Sequence, residues 1–239
     1  MSVPVPQLHT GVELAPRFAR SALLTIDMQR DFLRGGALEV PGTTEVLPAV
    51  AAVARAFRGA RRPVVHVVRL YRPDGSNVDL VRREAVRQGF RVVGPGSLGS
   101  QVAPGLLPPG APELDHELLL SGGLQEIGEG EYAMFKPRWG AFYGTSLEAV
   151  LRGWGAGTLV VAGCNLPNCP RATIFEASER DFRLVAVTDA ISQATAANMA
   201  ELAAIGVNLL ESSDVIAALA GKLSPQRVSQ LLHRAQKAS

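Results

Sequence analysis

A chain of 239 residues, 47% apolar and 19% charged, is long enough to bury one sizeable core and has the makeup of a globular protein. Its 24 Lys and Arg nearly balance 22 Asp and Glu, and with only isolated pairs such as Arg61-Arg62 and Arg82-Arg83 there is no basic block of the kind that binds nucleic acid. Two cysteines five positions apart make no disulfide framework and are too few for a zinc site, and no apolar run approaches the length of a membrane span.

Residues 1–20 hold three prolines and little periodicity, and they are expected to form an arm over the surface. They also lack the basic and apolar regions of a secretory leader, which predicts a cytoplasmic chain whose thiols stay reduced. "ALLTID" is a short apolar run ending at Asp27, and "TTEVLPAVAAVARAFRGA" has helical spacing up to about Gly59. "PVVHVVRL" (63–70) is β-branched, residues 78–88 have a helical pattern, and the Gly- and Pro-rich residues 90–112 predict a long surface loop. "EYAMFK" is a strand candidate ending at Lys136, followed by a helix over "TSLEAVLRGW" and a strand over "TLVVAG" (158–163). A helix over 170–181, a strand over "LVAVTDA", a helix over 195–205, a last strand over "VNLLE" and a helix from Pro225 complete the chain.

Short apolar strands alternating with longer helices imply βαβ units. Their unbroken apolar character implies a sheet buried on both faces. The expectation is one three-layer α/β/α domain with a mostly parallel, doubly wound sheet of about six strands. The arm would cover 1–20, the domain 21–215, and a helical extension 216–239, packing on the domain or on a partner subunit.

In open parallel sheets the ligand lies beyond the carboxyl ends of the strands. After the first strand stand Asp27, Gln29 and Asp31; after the second, Arg69, Tyr71, Arg72 and Asp74; after the third, Lys136, Arg138 and Trp139. After the fourth comes "GCNLPNCP", which holds both thiols. Cys169 is at the mouth of a helix with Pro170 in the favoured first turn, so a cap position is expected for it. A helix N-terminus and a nearby cation lower a thiol pKa from its free value of about 8.5. Lys136 could stabilise the thiolate, and Asp27 could take the thiol proton and return it to a leaving amine.

The three segments "LLTIDMQRDFL", "KPRWGAFYGTSLEAVLR" and "LVVAGCNLPNCPRATIFEASERDF", in that order, resemble the isochorismatase-like cysteine hydrolases. That family includes nicotinamidases, N-carbamoylsarcosine-type amidohydrolases and streptothricin hydrolases, and the likeness runs over roughly residues 20–215. It implies a catalytic set of Asp27, Lys136 and Cys169 and hydrolysis of a C–N bond in a small amide, ureido or lactam substrate through a thioester. It also implies an oxyanion hole from the backbone N–H groups of Asn165 and Cys169, with a cis peptide at Cys164–Asn165. Pro167 leaves Leu166–Pro167 open as a second place for that bond. Gln29 and Asp31 match positions that hold the family's opening loop together. Phe32, Arg69, Tyr71, Trp139 and Phe142 are the candidate pocket residues, with Arg69 and Arg72 set to meet an anionic or polar substrate group.

Nicotinamidases of the family carry metal-binding histidines after the second strand, whereas this chain has "VRLYRPDGSNVDL" there. No metal and no cofactor is expected, which argues against nicotinamide as substrate. The partner is a small molecule, not nucleic acid or membrane, and the family likeness implies a homo-oligomer, a dimer or tetramer. The loop over 90–112 would cover the pocket or serve a subunit contact. Two other classes compete: a non-catalytic ligand-binding or interaction protein that retains the fold, and a redox pair of Cys164 and Cys169. The four-residue spacing and two prolines disfavour the redox pair.

Overall fold

A computed structural model of the chain describes residues 6–224 and 226–231. The strands are β1 (Ser21–Ile26), β2 (Val64–Val68), β3 (Leu124–Gly128), β4 (Glu131–Phe135), β5 (Thr158–Gly163), β6 (Arg183–Ile191) and β7 (Asn208–Leu210). The helices are α1 (Thr43–Gly59), α2 (Leu80–Arg87), α3 (His116–Leu120), α4 (Leu147–Gly153), α5 (Cys169–Ser178), α6 (Ala196–Ala204) and α7 (Ser212–Leu219). The strands form one sheet in the order β3-β4-β2-β1-β5-β6-β7. Every neighbouring pair is parallel except β3 and β4.

The sheet has seven strands where the sequence pattern predicts about six. The extra one is β3, whose "LQEIG" carries few β-branched residues and leaves Glu126 exposed. A half-exposed edge strand alternates instead of running apolar, and so it hides in polar sequence. Helix α7 begins at Ser212, before the expected helical extension, so the expected boundary at 215/216 falls inside it. Residues 226–231 are helical, while Pro225 and residues 232–239 of the expected extension lie outside the described residues, as do residues 1–5 of the expected arm. Within the rest of that arm, Gln7 pairs with Leu209 at the β7 edge and Leu8 is buried.

Strand alternation divides the core in two. Leu23, Val64, Val68, Ala133, Val160 and Val185 face α1 and α7, meeting Val50, Val53, Phe57 and Val215. Leu24, Ile26, Val65, Val67, Met134, Val161 and Ala186 face the other way, onto Leu147 and Leu151 of α4, Ile174 of α5 and Leu202 of α6. β1 is therefore followed by a helix on one face and β5, its neighbour, by a helix on the other. That is a topological switch point, where diverging helices open a crevice at the carboxyl ends of the strands.

Candidate active site

The crevice is built from the ends of β1, β2, β4 and β5. β1 ends at Ile26, and Asp27 turns out of the strand with φ of 52°. Asp tolerates this left-handed conformation better than most residues. Its N–H donates to the Val67 carbonyl at 2.9 Å, which fixes the turn to β2. Lys136 leaves β4 with its N–H on the Val68 carbonyl at 3.0 Å, and its side chain is fully buried. Lys136 Nζ donates to Asp27 Oδ2 at 2.9 Å and to the Arg138 carbonyl at 3.3 Å.

β5 ends at Gly163, where φ is +124° and an added Cβ would run into the backbone of Ile26. Only glycine allows both that dihedral and that approach. The Cys164–Asn165 bond that follows is cis, and among the described residues it is this bond, not Leu166–Pro167, that takes that form. Cys169 is the first residue of α5, one place beyond the expected cap. Asn168 is the cap, because its carbonyl receives the Ala172 N–H at 2.9 Å and so opens the helical ladder. Thr173 Oγ1 donates to the Cys169 carbonyl at 2.8 Å and accepts from the Ala141 N–H at 3.1 Å, tying the helix to the segment after Lys136.

Asp27, Lys136 and Cys169 thus converge, and Arg69 joins them. Arg69 is almost wholly buried. Its Nη2 donates to Cys169 Sγ at 3.6 Å, its Nη1 to Asp79 Oδ2 at 2.7 Å, and its Nε lies 4.0 Å from Asp27 Oδ2. Tyr71 Oη donates to the same Asp79 oxygen at 3.0 Å. Burial works to lower the Arg69 pKa, but the charges of Asp27, Tyr71, Cys169 and Asp79 outweigh it and the net direction is up. Burial pushes Tyr71 up as well.

The thiol itself runs opposite to the expected lowering. Burial, then the Asp27 charge, pushes the Cys169 pKa up, against the pull of Lys136 and Arg69, and a hydrogen bond with Asp27 adds to the rise. The cations are present as expected, but desolvation penalises the thiolate more than they help it. Among the described residues, none donates a hydrogen bond to the buried Asp27 Oδ1. Cys164, buried beside Thr43 and Ser192, is pushed up to about 12, mainly by burial.

The cavity over the sulfur encloses about 110 Å3, the share of roughly four water molecules. Of the expected pocket residues, Phe32, Arg69 and Tyr71 line it, together with Asp27, Asn165 and Cys169. Trp139 and Phe142 do not. Trp139 stands half-exposed over a neighbouring shallow groove with Leu80, Val81 and Arg138. Phe142 is buried against Phe182, ring centres 5.8 Å apart. Arg72 is exposed, its N–H held by Asn77 in a turn.

Cys164 also lines the cavity, and Leu38, Val40, Arg82 and Asn168 complete it, with Asp79 as a buttress; these last five were not singled out by the pattern after the strands. The signal for two of them is the Asp79–Arg82 spacing at the start of α2, which brings Arg82 Nη1 within 3.7 Å of Asp79. Asp31 lies outside the cavity, accepting from the Val93 N–H at 2.6 Å, and so fastens the opening loop to the 90–112 segment. Among the described residues there is no group of three or more His, Cys, Asp or Glu able to hold a metal ion.

The isochorismatase domain family model matches residues 21–214. The chain is similar to a probable inactive nicotinamidase of Arabidopsis thaliana, 34% identical over 203 residues, covering 81% of this chain and 93% of that protein. It is similar in structure to an isochorismatase family protein from Desulfovibrio vulgaris, 32% identical with a TM-score of 0.72, covering 84% of this chain and 98% of that one. It also resembles the N-carbamoylsarcosine amidase from Thermoplasma acidophilum, 25% identical with a TM-score of 0.63, covering 81% of this chain and 96% of that one.

Proposed function

The chain belongs to the isochorismatase family, and from that premise we propose that it is a cysteine hydrolase cleaving a C–N bond of a small amide, ureido or lactam substrate through a thioester. The observation that carries this reading is the convergence of Asp27, Lys136 and Cys169 at the strand ends, with Lys136 Nζ on Asp27 Oδ2 at 2.9 Å and Asp27 and Cys169 lining the same cavity.

Cys169 Sγ attacks the carbonyl carbon while its proton passes to Asp27. The carbonyl electron pair moves onto oxygen, which the Asn165 and Cys169 N–H groups receive. Neither of these N–H groups has an acceptor among the described residues. As the intermediate collapses, the C–N bond breaks and Asp27 returns the proton to the departing ammonia or amine. Water, deprotonated by the same carboxylate, then cleaves the thioester and restores the thiol. Lys136, donating to Asp27 Oδ2, keeps the carboxyl group oriented between these transfers.

The small cavity, apolar at Phe32, Leu38 and Val40 and polar at Tyr71, Arg82, Asn165 and Asn168, suits a short substrate with a polar or anionic end. The N-carbamoylsarcosine amidase relative supports the ureido class. The reading includes a cytoplasmic homo-oligomer, dimer or tetramer, without nucleic-acid or membrane partners; sedimentation at micromolar concentration measures its size. The test of the reaction is release of ammonia or amine from a panel of small amides, ureido acids and lactams by the wild type and by Cys169→Ala. Turnover of at least one class by the wild type alone is expected, and turnover that survives Cys169→Ala contradicts the reading. A binding protein without catalysis is the second reading, favoured by the Arabidopsis relative's description as probably inactive. Saturable binding with no turnover across the panel would select it.

A further inference from the structure

Lys136 and Arg69 are the buried cations beside Asp27 and Cys169, but only one of them touches the nucleophile. Lys136 Nζ gives its hydrogen bonds to Asp27 Oδ2 and the Arg138 carbonyl. Arg69 Nη2 points at Cys169 Sγ, 3.6 Å away, and is the one side-chain donor to that sulfur among the described residues. We propose that Arg69 is a catalytic residue whose guanidinium holds the Cys169 sulfur as the thiol proton passes to Asp27, with Gln29 and Asp79 as the positioning residues that aim it. This rests on Cys169 being the nucleophile.

The step balances within the site. The S–H bond breaks, the proton goes to Asp27 Oδ1, and the electron pair stays on sulfur. Before transfer, Asp27 and Asp79 offset Lys136 and Arg69. After transfer Asp27 is neutral, and the thiolate needs the charge that Asp27 has given up. Lys136 is fixed on the carboxyl group, so the donor already in contact with sulfur receives the new charge. An arginine keeps its proton under any of these conditions.

Its position is over-determined in a way a mere ion pair with Asp79 does not require. The Gln29 amide grips the Arg69 backbone from both sides, accepting its N–H at 2.7 Å and donating to its carbonyl at 2.8 Å. Asp79 takes one edge of the guanidinium at 2.7 Å and is itself held by Tyr71 Oη. The remaining edge is left for the sulfur.

The test is the ultraviolet titration of the thiolate in the full chain carrying Cys164→Ser, with Arg69 retained, changed to Lys or changed to Met. The Cys164→Ser/Cys169→Ser protein subtracts the tyrosines. Arg69→Met is expected to raise the Cys169 midpoint by about 1–3 pH units, with Arg69→Lys in between. Tyr71→Phe, which loosens Asp79 without removing the cation, is expected to raise it less, and it carries the test if Arg69→Met does not fold. An unmoved midpoint in Arg69→Met and Arg69→Lys, with Asp27→Asn still shifting it, overturns the role of Arg69 and leaves the nucleophile standing. A parent thiol at the ordinary value that ignores Asp27→Asn as well overturns both.

Discussion

At the scale of single residues, the site works by opposing forces on one sulfur. Burial and Asp27 hold the proton on Cys169, and Lys136 and Arg69 favour its release. In the proposed reaction a thiol poised this way attacks only as Asp27 accepts its proton. Asp27→Asn removes the base, so kcat for the amide found in the substrate panel should fall by about 10²–10⁴-fold with the fold intact; steady-state kinetics beside a circular dichroism spectrum measures both. Gly163 is as constrained as any catalytic group. Gly163→Ala demands φ of +124° from a residue with a Cβ and drives that atom into Ile26. A loss of more than about 1 kcal/mol is expected, read as a lower urea midpoint.

At the scale of elements, the strand ends do the positioning, and a buried polar network holds the strands in register. Thr25 Oγ1 lies 2.7 Å from His66 Nδ1, and His66 Nε2 lies 2.6 Å from Glu131 Oε1, joining β1, β2 and β4. Arg58 of α1 closes the network on both Glu131 oxygens. Burial pushes the Glu131 pKa up, but the hydrogen bonds and charges of Arg58 and His66 outweigh it, and the net direction is down. A carboxyl group lowered in the folded state contributes stability above the ordinary glutamate value near 4.5 and loses it as pH falls through the lower native value. Glu131→Gln should therefore flatten the acid limb of stability against pH. Arg58→Met, which leaves His66 as the one side-chain partner of the buried Glu131 carboxylate among the described residues, should destabilise by roughly 3 kcal/mol at neutral pH by urea unfolding.

What the sequence showed of these elements divides along physical lines. Asp27 and Lys136 were legible because each directly follows a strand whose apolar run is easy to see, and Cys169 because the loop after β5 holds both thiols and Pro170 marks the helix start behind it. β3 and the start of α7 were not, because an exposed edge strand and a short terminal helix leave weak periodicity. Trp139 and Phe142 were misplaced because aromatic residues near a rim pack either inward or aside, and only the register of the chain after β4 turns Phe142 onto Phe182. The Arg69 contact with sulfur depends on Asp79 from a separate helix start, a pairing that no local spacing encodes.

At the scale of the molecule, the strand order places β1 beside β5 and sends their helices to opposite faces. One chain thereby brings a carboxylate, two buried cations and a thiol together from four strand ends. No helix among the described residues is long and apolar enough to cross a membrane. The central claim is that Asp27 and Cys169 act as one unit, and the most direct measurement is the rate of iodoacetamide labelling at Cys169 against pH, resolved by mass, in the wild type and in Asp27→Asn. The account predicts a wild-type midpoint above the ordinary thiol value, falling in Asp27→Asn because the negative charge that retains the proton is gone. A midpoint at the free-thiol value, unchanged by the substitution, would contradict it.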